Sequence, residues 1–270
     1  MTVVTAAQFA PTRNKANNLT AIERLVKAAT RQGAEVVLFP EYSSWFPGQL
    51  SEQVSGNAEA LDGPFVAAMS RLASQYKVTI AAGMLETVPD SDPRPYNTVV
   101  SVGPGGTLLA CYRKVHLYDA FGSEESRWIR PGPLDQEPLF EHSGLIFGIQ
   151  TCYDLRFPEL SRLRSAAGAS VLLVPAQWVP GPSKELHWTT LLRARAIENT
   201  AYVVAADHGP PAGIGLSAIY DPAGACIDSL FEPTGLATGT LTLEHIQGVR
   251  SENPALKMRR IDLPATAPRA

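Results

Sequence analysis

Two hundred and seventy residues carry 23 Lys+Arg against 26 Asp+Glu, a net charge of −3, with 45% hydrophobic and 18% charged residues. Such a chain has ample material for a core and lacks the basic footprint that phosphate neutralisation requires. It also holds no apolar run near the ~18 residues that span a bilayer, so neither nucleic acid nor membrane is an expected partner.

From the N-terminus, residues 2–9 read as a strand. Residues 14–32 read as a helix, with Leu19, Ile22, Leu25, Val26 and Ala29 spaced by three and four, and Gly33 stops it. The apolar run 35–39 is a buried strand ending against Pro40, 64–75 is a second amphipathic helix, and 77–83 returns as strand. Residues 96–102 and 107–112 form a hairpin, because the glycines of Gly103-Pro-Gly-Gly106 permit a tight reversal. Residues 139–142 and 145–149 flank Ser143-Gly144 in the same way, 157–167 is a helix, and 169–174 is a strand. A long helix over 183–199 precedes strands at 201–206, 215–220, 225–229 and 236–243, and an extended Pro-rich tail begins at about 253.

Hairpins and βα units alternate without a linker-like break, so one α/β domain over 1–270 is expected, burying roughly 75% of its unfolded surface. Two sheets packed face to face, with helices outside, accommodate this many strands better than one open sheet. The first ten residues lack the basic segment of a secretory leader, and the cytoplasm is the expected compartment. Cys111, Cys152 and Cys226 are odd in number and far apart, which favours reduced thiols over a disulfide framework.

Nucleotide-binding glycine motifs, a His-Glu-x-x-His helix and a Gly-x-Ser-x-Gly elbow are all absent, and the five histidines show no ligand spacing. Cys152 stands where the apolar run 145–149 gives way to polar residues and a helix, whose N-terminus would favour a thiolate. A lone cysteine is more often a small buried hydrophobe, so its neighbours decide. Glu41 follows the buried run 36–40 directly, and burial there would raise its pKa toward that of a usable base. Lys114 follows the run 108–113. Each charge alone reads as a solvated one, but three complementary groups at the ends of three apolar strands converge on one crevice.

Five segments then resemble the nitrilase-type carbon–nitrogen hydrolases: Phe39-Pro-Glu41, the run 112–119 from Tyr112 to Asp119, Cys152-Tyr-Asp-Leu-Arg-Phe-Pro-Glu-Leu160, Pro175-Ala-Gln-Trp178, and the run 187–199. The resemblance spans nearly the whole chain. It implies a four-layer α-β-β-α sandwich and a single carbon–nitrogen hydrolase domain. It also implies Glu41 as general base, Lys114 as oxyanion-stabilising cation and Cys152 as nucleophile, with no metal or organic cofactor. A second glutamate that positions substrate falls on Glu125, with Glu124 as the competing assignment. The run after Cys152 is similar to the ω-amidase and deaminated-glutathione amidase branch, which implies a small carboxamide as substrate and a homodimer or higher homo-oligomer. An N-carbamoyl-amine hydrolase and a catalytically silent scaffold are the alternatives.

Tyr42, Tyr153 and Trp178, beside the motif residues, are candidates for the walls of an apolar substrate pocket, with Trp45 and Phe46 close by. Arg156 is a candidate to bind a substrate carboxylate, but internal pairing with a carboxylate that buttresses the site is the favoured reading, and His116 and Asp119 are expected to be structural.

Overall fold

The computed structural model describes residues 1–261. Its first sheet contains β1 (Thr2–Gln8), β2 (Val36–Leu38), β3 (Thr79–Glu86), β4 (Tyr96–Val102), β5 (Leu108–Arg113) and β12 (Gly235–Leu241), in the order β12-β1-β2-β3-β4-β5. Its second sheet contains β6 (Leu139–His142), β7 (Leu145–Ile149), β8 (Val171–Pro175), β9 (Tyr202–Ala206), β10 (Ala218–Tyr220) and β11 (Cys226–Ser229), in the order β11-β10-β9-β8-β7-β6. Three central strands in each sheet run parallel and the flanking pairs are antiparallel.

Helices α1 (Lys15–Arg31) and α3 (Pro64–Tyr76) cover the first sheet, and α4 (Pro158–Ala166) and α5 (Lys184–Asn199) cover the second. Alternation along each strand explains the four layers. Val36 and Leu38 face Val171, Leu173 and Val204 between the sheets, while Val37 turns outward to Ile22, Val26 and Met69 under the helices. Leu172 and Val174 do the same against Trp188 and Leu192 of α5. Strands covered on both faces read as continuous apolar runs, which is how these segments stand out in the sequence. The expected four-layer sandwich is what the chain forms.

Several boundaries differ from expectation. Lys77 takes a left-handed conformation as the C-cap of α3, so β3 starts at Thr79 and pairs with β4 as far as Glu86. Gly215 and Leu216 have φ of +71° and +59°, which delays β10 to Ala218. The last strand stops at Leu241, and Thr242 caps a helix that sequence periodicity did not predict, α6 (Leu243–Glu252), by accepting from the His245 N–H. Only Ile246 of that helix is buried, so it carries almost no apolar stripe. A five-residue helix, α2 (Gln53–Asn57), was also unforeseen. After α6 the tail opens with a turn on the Pro254 carbonyl, and its remainder, 262–270, lies outside the described residues.

Candidate active site

Glu41 stands three residues past the end of β2, buried between the sheets. Its main chain is pinned from below by β3, where Gly83 donates to the Pro40 carbonyl at 3.2 Å. A Cβ on Gly83 would lie 2.6 Å from the Tyr42 nitrogen and 2.7 Å from the Glu41 Cα, so only glycine allows the two chains this close. Tyr42 itself turns at a φ of +56°. The Glu41 carboxylate receives the Asn97 amide at 2.6 Å, the Lys114 ammonium at 2.9 Å and the Gln177 backbone N–H at 2.7 Å.

Lys114, just past β5, is 2% exposed and bridges two carboxylates, with Glu125 Oε2 at 2.8 Å on its other side. Glu125 starts a single 3₁₀ turn, Glu125–Arg127, and is further held by the Tyr42 hydroxyl at 2.6 Å, the Tyr118 N–H at 2.6 Å and the Asn97 amide at 3.1 Å. Glu124 is exposed at the rim, so Glu125 is the carboxylate that reaches the lysine. Burial by itself pushes the lysine pKa down, but the Glu125 and Glu41 charges outweigh it and hold the ammonium well above its ordinary value. Burial pushes Glu41 up from the ordinary 4.5, with Lys114 opposing and Glu125 adding to the rise.

Cys152, with φ +48°, opens a short 3₁₀ helix, Cys152–Arg156, three residues past β7. The predicted helix-terminus activation of the thiol does not hold. Burial, then the Glu41 charge, push the thiol well above its ordinary 9.0, with Lys114 only partly opposing them. The group therefore rests as a thiol, 3.6 Å from the Gln177 carbonyl, and needs a base at the moment of attack. Asp154 anchors this turn to the lysine segment: it accepts from Thr151 N–H at 2.9 Å, Tyr112 hydroxyl at 2.7 Å and His116 N–H at 2.9 Å. His116 and Asp119 have structural partners, as expected, the latter accepting from Ser126 N–H at 2.9 Å.

Glu41, Tyr42, Lys114, Glu125, Cys152 and Gln177 open on one cavity of about 580 Å³, with Phe46 also on its wall. Tyr153 and Trp178 line a side recess that shares Cys152 with the main cavity. Trp45 packs instead into the neighbouring apolar cluster with Val54 and Leu85. The expected carboxylate partner of Arg156 is missing among the described residues. Its guanidinium lies 5.1 Å from the Trp178 ring and 5.9 Å from Tyr153, and meets the His187 Nδ1 at 3.2 Å. Lys184, buried in the same recess, donates to the Tyr118 hydroxyl at 2.6 Å, and burial and the Arg156 charge push its pKa down. Two cations thus face the nucleophile without an acidic partner among the described residues.

Asn97, Gly83, the Gln177 peptide and Lys184 were not singled out from sequence. Asn97 lies inside an ordinary strand pattern, and a backbone N–H has no sequence signature.

Residues 3–251 match the carbon-nitrogen hydrolase family. A deaminated glutathione amidase of Escherichia coli O157:H7 is 36% identical over 262 residues, covering 97% of this chain and 98% of the relative. A Saccharomyces cerevisiae protein of branch 10 of the nitrilase superfamily superposes with a TM-score of 0.85 at 26% identity, over 96% of this chain and 97% of that one. An amidase from Nesterenkonia sp. AN1, solved as a Glu-to-Gln variant with acrylamide added to its active-site cysteine, gives 0.79 at 25% identity, over 96% and 100%. Among the described residues, no helix is long and apolar enough to cross a membrane.

Proposed function

The chain belongs to the carbon–nitrogen hydrolase family, and we propose that it hydrolyses the amide bond of a small carboxamide with Cys152 as nucleophile, Glu41 as general base, Lys114 as oxyanion-binding cation and Glu125 as the carboxylate that positions Lys114 and the substrate. The supporting observation is that both carboxylates meet one buried ammonium, at 2.9 and 2.8 Å, on the cavity into which the thiol opens.

In the reaction, Glu41 takes the Cys152 proton as sulfur attacks the amide carbonyl. The oxyanion meets the Lys114 ammonium and the N–H of Tyr153. Glu41 then protonates the departing nitrogen, the C–N bond breaks, and ammonia leaves a thioester on Cys152. Water, deprotonated by the same carboxylate, attacks the thioester; the thiolate takes the proton back and a carboxylic acid departs. A single base whose pKa is raised above the ordinary carboxylate value suits both directions of proton transfer. Charged donors aimed at a developing oxyanion contribute about 3–4 kcal/mol each.

Tyr42 supports Glu125, whereas Tyr153 and Trp178 wall the small recess beside Cys152 that Arg156 and Lys184 also line. An amide carrying an acidic group would satisfy those cations, in keeping with the name of the Escherichia coli relative. A cytoplasmic location, expected from the sequence, and a homodimer, implied by the resemblance, complete the reading; light scattering that returned a monomer would remove the dimer.

The test is ammonia release from monoamides of dicarboxylic acids, each compared with its neutral ester. The acids should be preferred at least tenfold in kcat/KM, and Arg156→Met should erase the preference. Carbon dioxide released along with ammonia would replace the amidase reading with an N-carbamoyl-amine hydrolase. Full turnover by Cys152→Ala would reject the nucleophile.

A further inference from the structure

We propose that His208 is a positioning residue for the general base: from the end of β9 it holds the main chain of Glu41, and so fixes the spacing between a base carried by one sheet and a nucleophile carried by the other. The inference rests on Glu41 being the base.

His208 is fully buried, two residues past β9, and its Nε2 lies 2.6 Å from the Glu41 carbonyl oxygen. A carbonyl only accepts, so the imidazole carries its proton on Nε2. Burial pushes its pKa down to about 4, and the ring stays neutral over the working range. The ring sits edge-on to Phe46, with centroids 5.0 Å apart, which restricts its rotation. Its Nδ1 is buried with no partner among the described residues. Packing by itself would favour an apolar side chain here, because an unpaired buried acceptor costs stability; the bond made by Nε2 is what requires histidine.

The Glu41 carbonyl sits where regular pairing has ended. Nearby backbone groups have their own partners, Ser44 N–H on Gly83 and Trp45 N–H on Tyr42, and the described residues offer the Glu41 carbonyl no other donor than His208. The preceding residue, Asp207, completes the grip. Its Oδ1 accepts from Trp178 N–H at 2.7 Å, and the adjacent Gln177 N–H meets Glu41 Oε2 at 2.7 Å. The end of β9 therefore holds the base at its carbonyl directly and at its carboxylate through the 177–178 segment, which also faces the Cys152 thiol. No histidine in the sequence is spaced as a proton acceptor, yet one stands a single bond behind it.

The experiment compares His208→Leu, His208→Gln and His208→Asn with Glu41→Gln, on the full chain. Gln carries an amide N–H that reaches the place of Nε2; Asn is too short. Two readouts are followed against pH: amide turnover, and the rate at which iodoacetamide alkylates Cys152. The groups facing Glu41 are Lys114, Asn97, Glu125, Cys152 and Asp207. A displaced carboxylate loses its alignment with Lys114 and Gln177 N–H, so its pKa rises further and the acid limb of kcat/KM moves to higher pH. His208→Leu should lower kcat about 10- to 100-fold with KM changed less than about threefold, since small misplacements of a catalytic group are costly. His208→Gln should recover most of this loss and the original limb, while His208→Asn should not. If the leucine variant fails to fold, the Gln and Asn pair, matched in melting temperature, carries the test. Native kcat and acid limb in a folded His208→Leu, or Gln performing no better than Asn, would overturn the proposal. Turnover surviving in Glu41→Gln would instead overturn the base assignment itself.

Discussion

Each sheet has three adjacent parallel strands, β1-β2-β3 in one and β7-β8-β9 in the other, and the residues at their ends can be compared pair by pair. The first strands lead to Gln8 and Cys152. Gln8 is spent on structure, accepting from the Ser217 hydroxyl and N–H and donating to the Glu232 carbonyl, whereas the thiol has only a weak contact at 3.6 Å. The middle strands lead to Glu41 and Gln177, a carboxylate and the peptide N–H that it accepts from. The third strands lead to Glu86, neutralised by Arg113 at 2.5 and 2.8 Å, and to Asp207, which meets no cation among the described residues and whose carboxyl is pushed well above its ordinary value by burial. The halves share a topology and differ in how these strand-end groups are used: Gln8 and Glu86 are spent on side-chain partners within the fold, whereas the Cys152 thiol opens on the cavity with no strong partner.

The largest expected effect contrasts the first pair. Cys152→Ala should lower turnover by about 10⁴-fold or more at unchanged melting temperature. Gln8→Ala should cost about 1–3 kcal/mol of stability by leaving Ser217 unpaired, with an activity loss at least a hundredfold smaller. Equal losses of turnover would break the contrast.

For the middle pair, Glu41→Gln should cost about 10²- to 10⁴-fold in kcat/KM. Because a base works ionised and this one is raised above 4.5, native activity should fall with decreasing pH at a pH above the ordinary carboxylate range. An acid limb at or below 4.5 would contradict that environment.

Lys114→Met sharpens the comparison, since it removes the cation shared by Glu41 and Glu125. Turnover should fall at least roughly a hundredfold, and stability at neutral pH by about 3–5 kcal/mol, because two carboxylates would be left buried without their ion pair. The stability loss should shrink in acid as the carboxylates protonate, which denaturant titrations at two pH values would read.

Gly83→Ala probes the main chain beneath the base. A methyl group 2.6 Å from the Tyr42 nitrogen must displace the Glu41 segment, so a loss of about 1–3 kcal/mol and a drop in kcat are expected together. A variant stable but inactive would sharpen the reading further.

The smallest effect on activity, and the clearest on stability, concerns His208→Gln. Its folded pKa of about 4 lies below the ordinary 6.5, so the unfolded chain binds a proton between those values that the native chain does not. The associated stability, about 3 kcal/mol, is present above pH 6.5 and lost as pH falls toward 4. His208→Gln should flatten that part of the pH–stability curve.

Composition and the doubled apolar runs determined the layered α/β architecture, because strands buried on both faces leave an unmistakable pattern. The strand-end positions of Glu41, Lys114 and Cys152 were legible for the same reason. The helix α6 was not, since a single buried residue leaves no period and its start depends on one Thr242 cap. Nor was the state of the thiol, which chain-local reasoning assigned to a helix terminus and which burial and the Glu41 charge decide. The rule that buried cations find carboxylates misleads for Arg156, because only the folded recess reveals aromatic rings and a second cation around it. Periodicity reports which face of an element leaves water; which groups meet across two sheets depends on distances that no local pattern encodes, and the pairing of Glu41 with Lys114, Gln177 and His208 is of that kind.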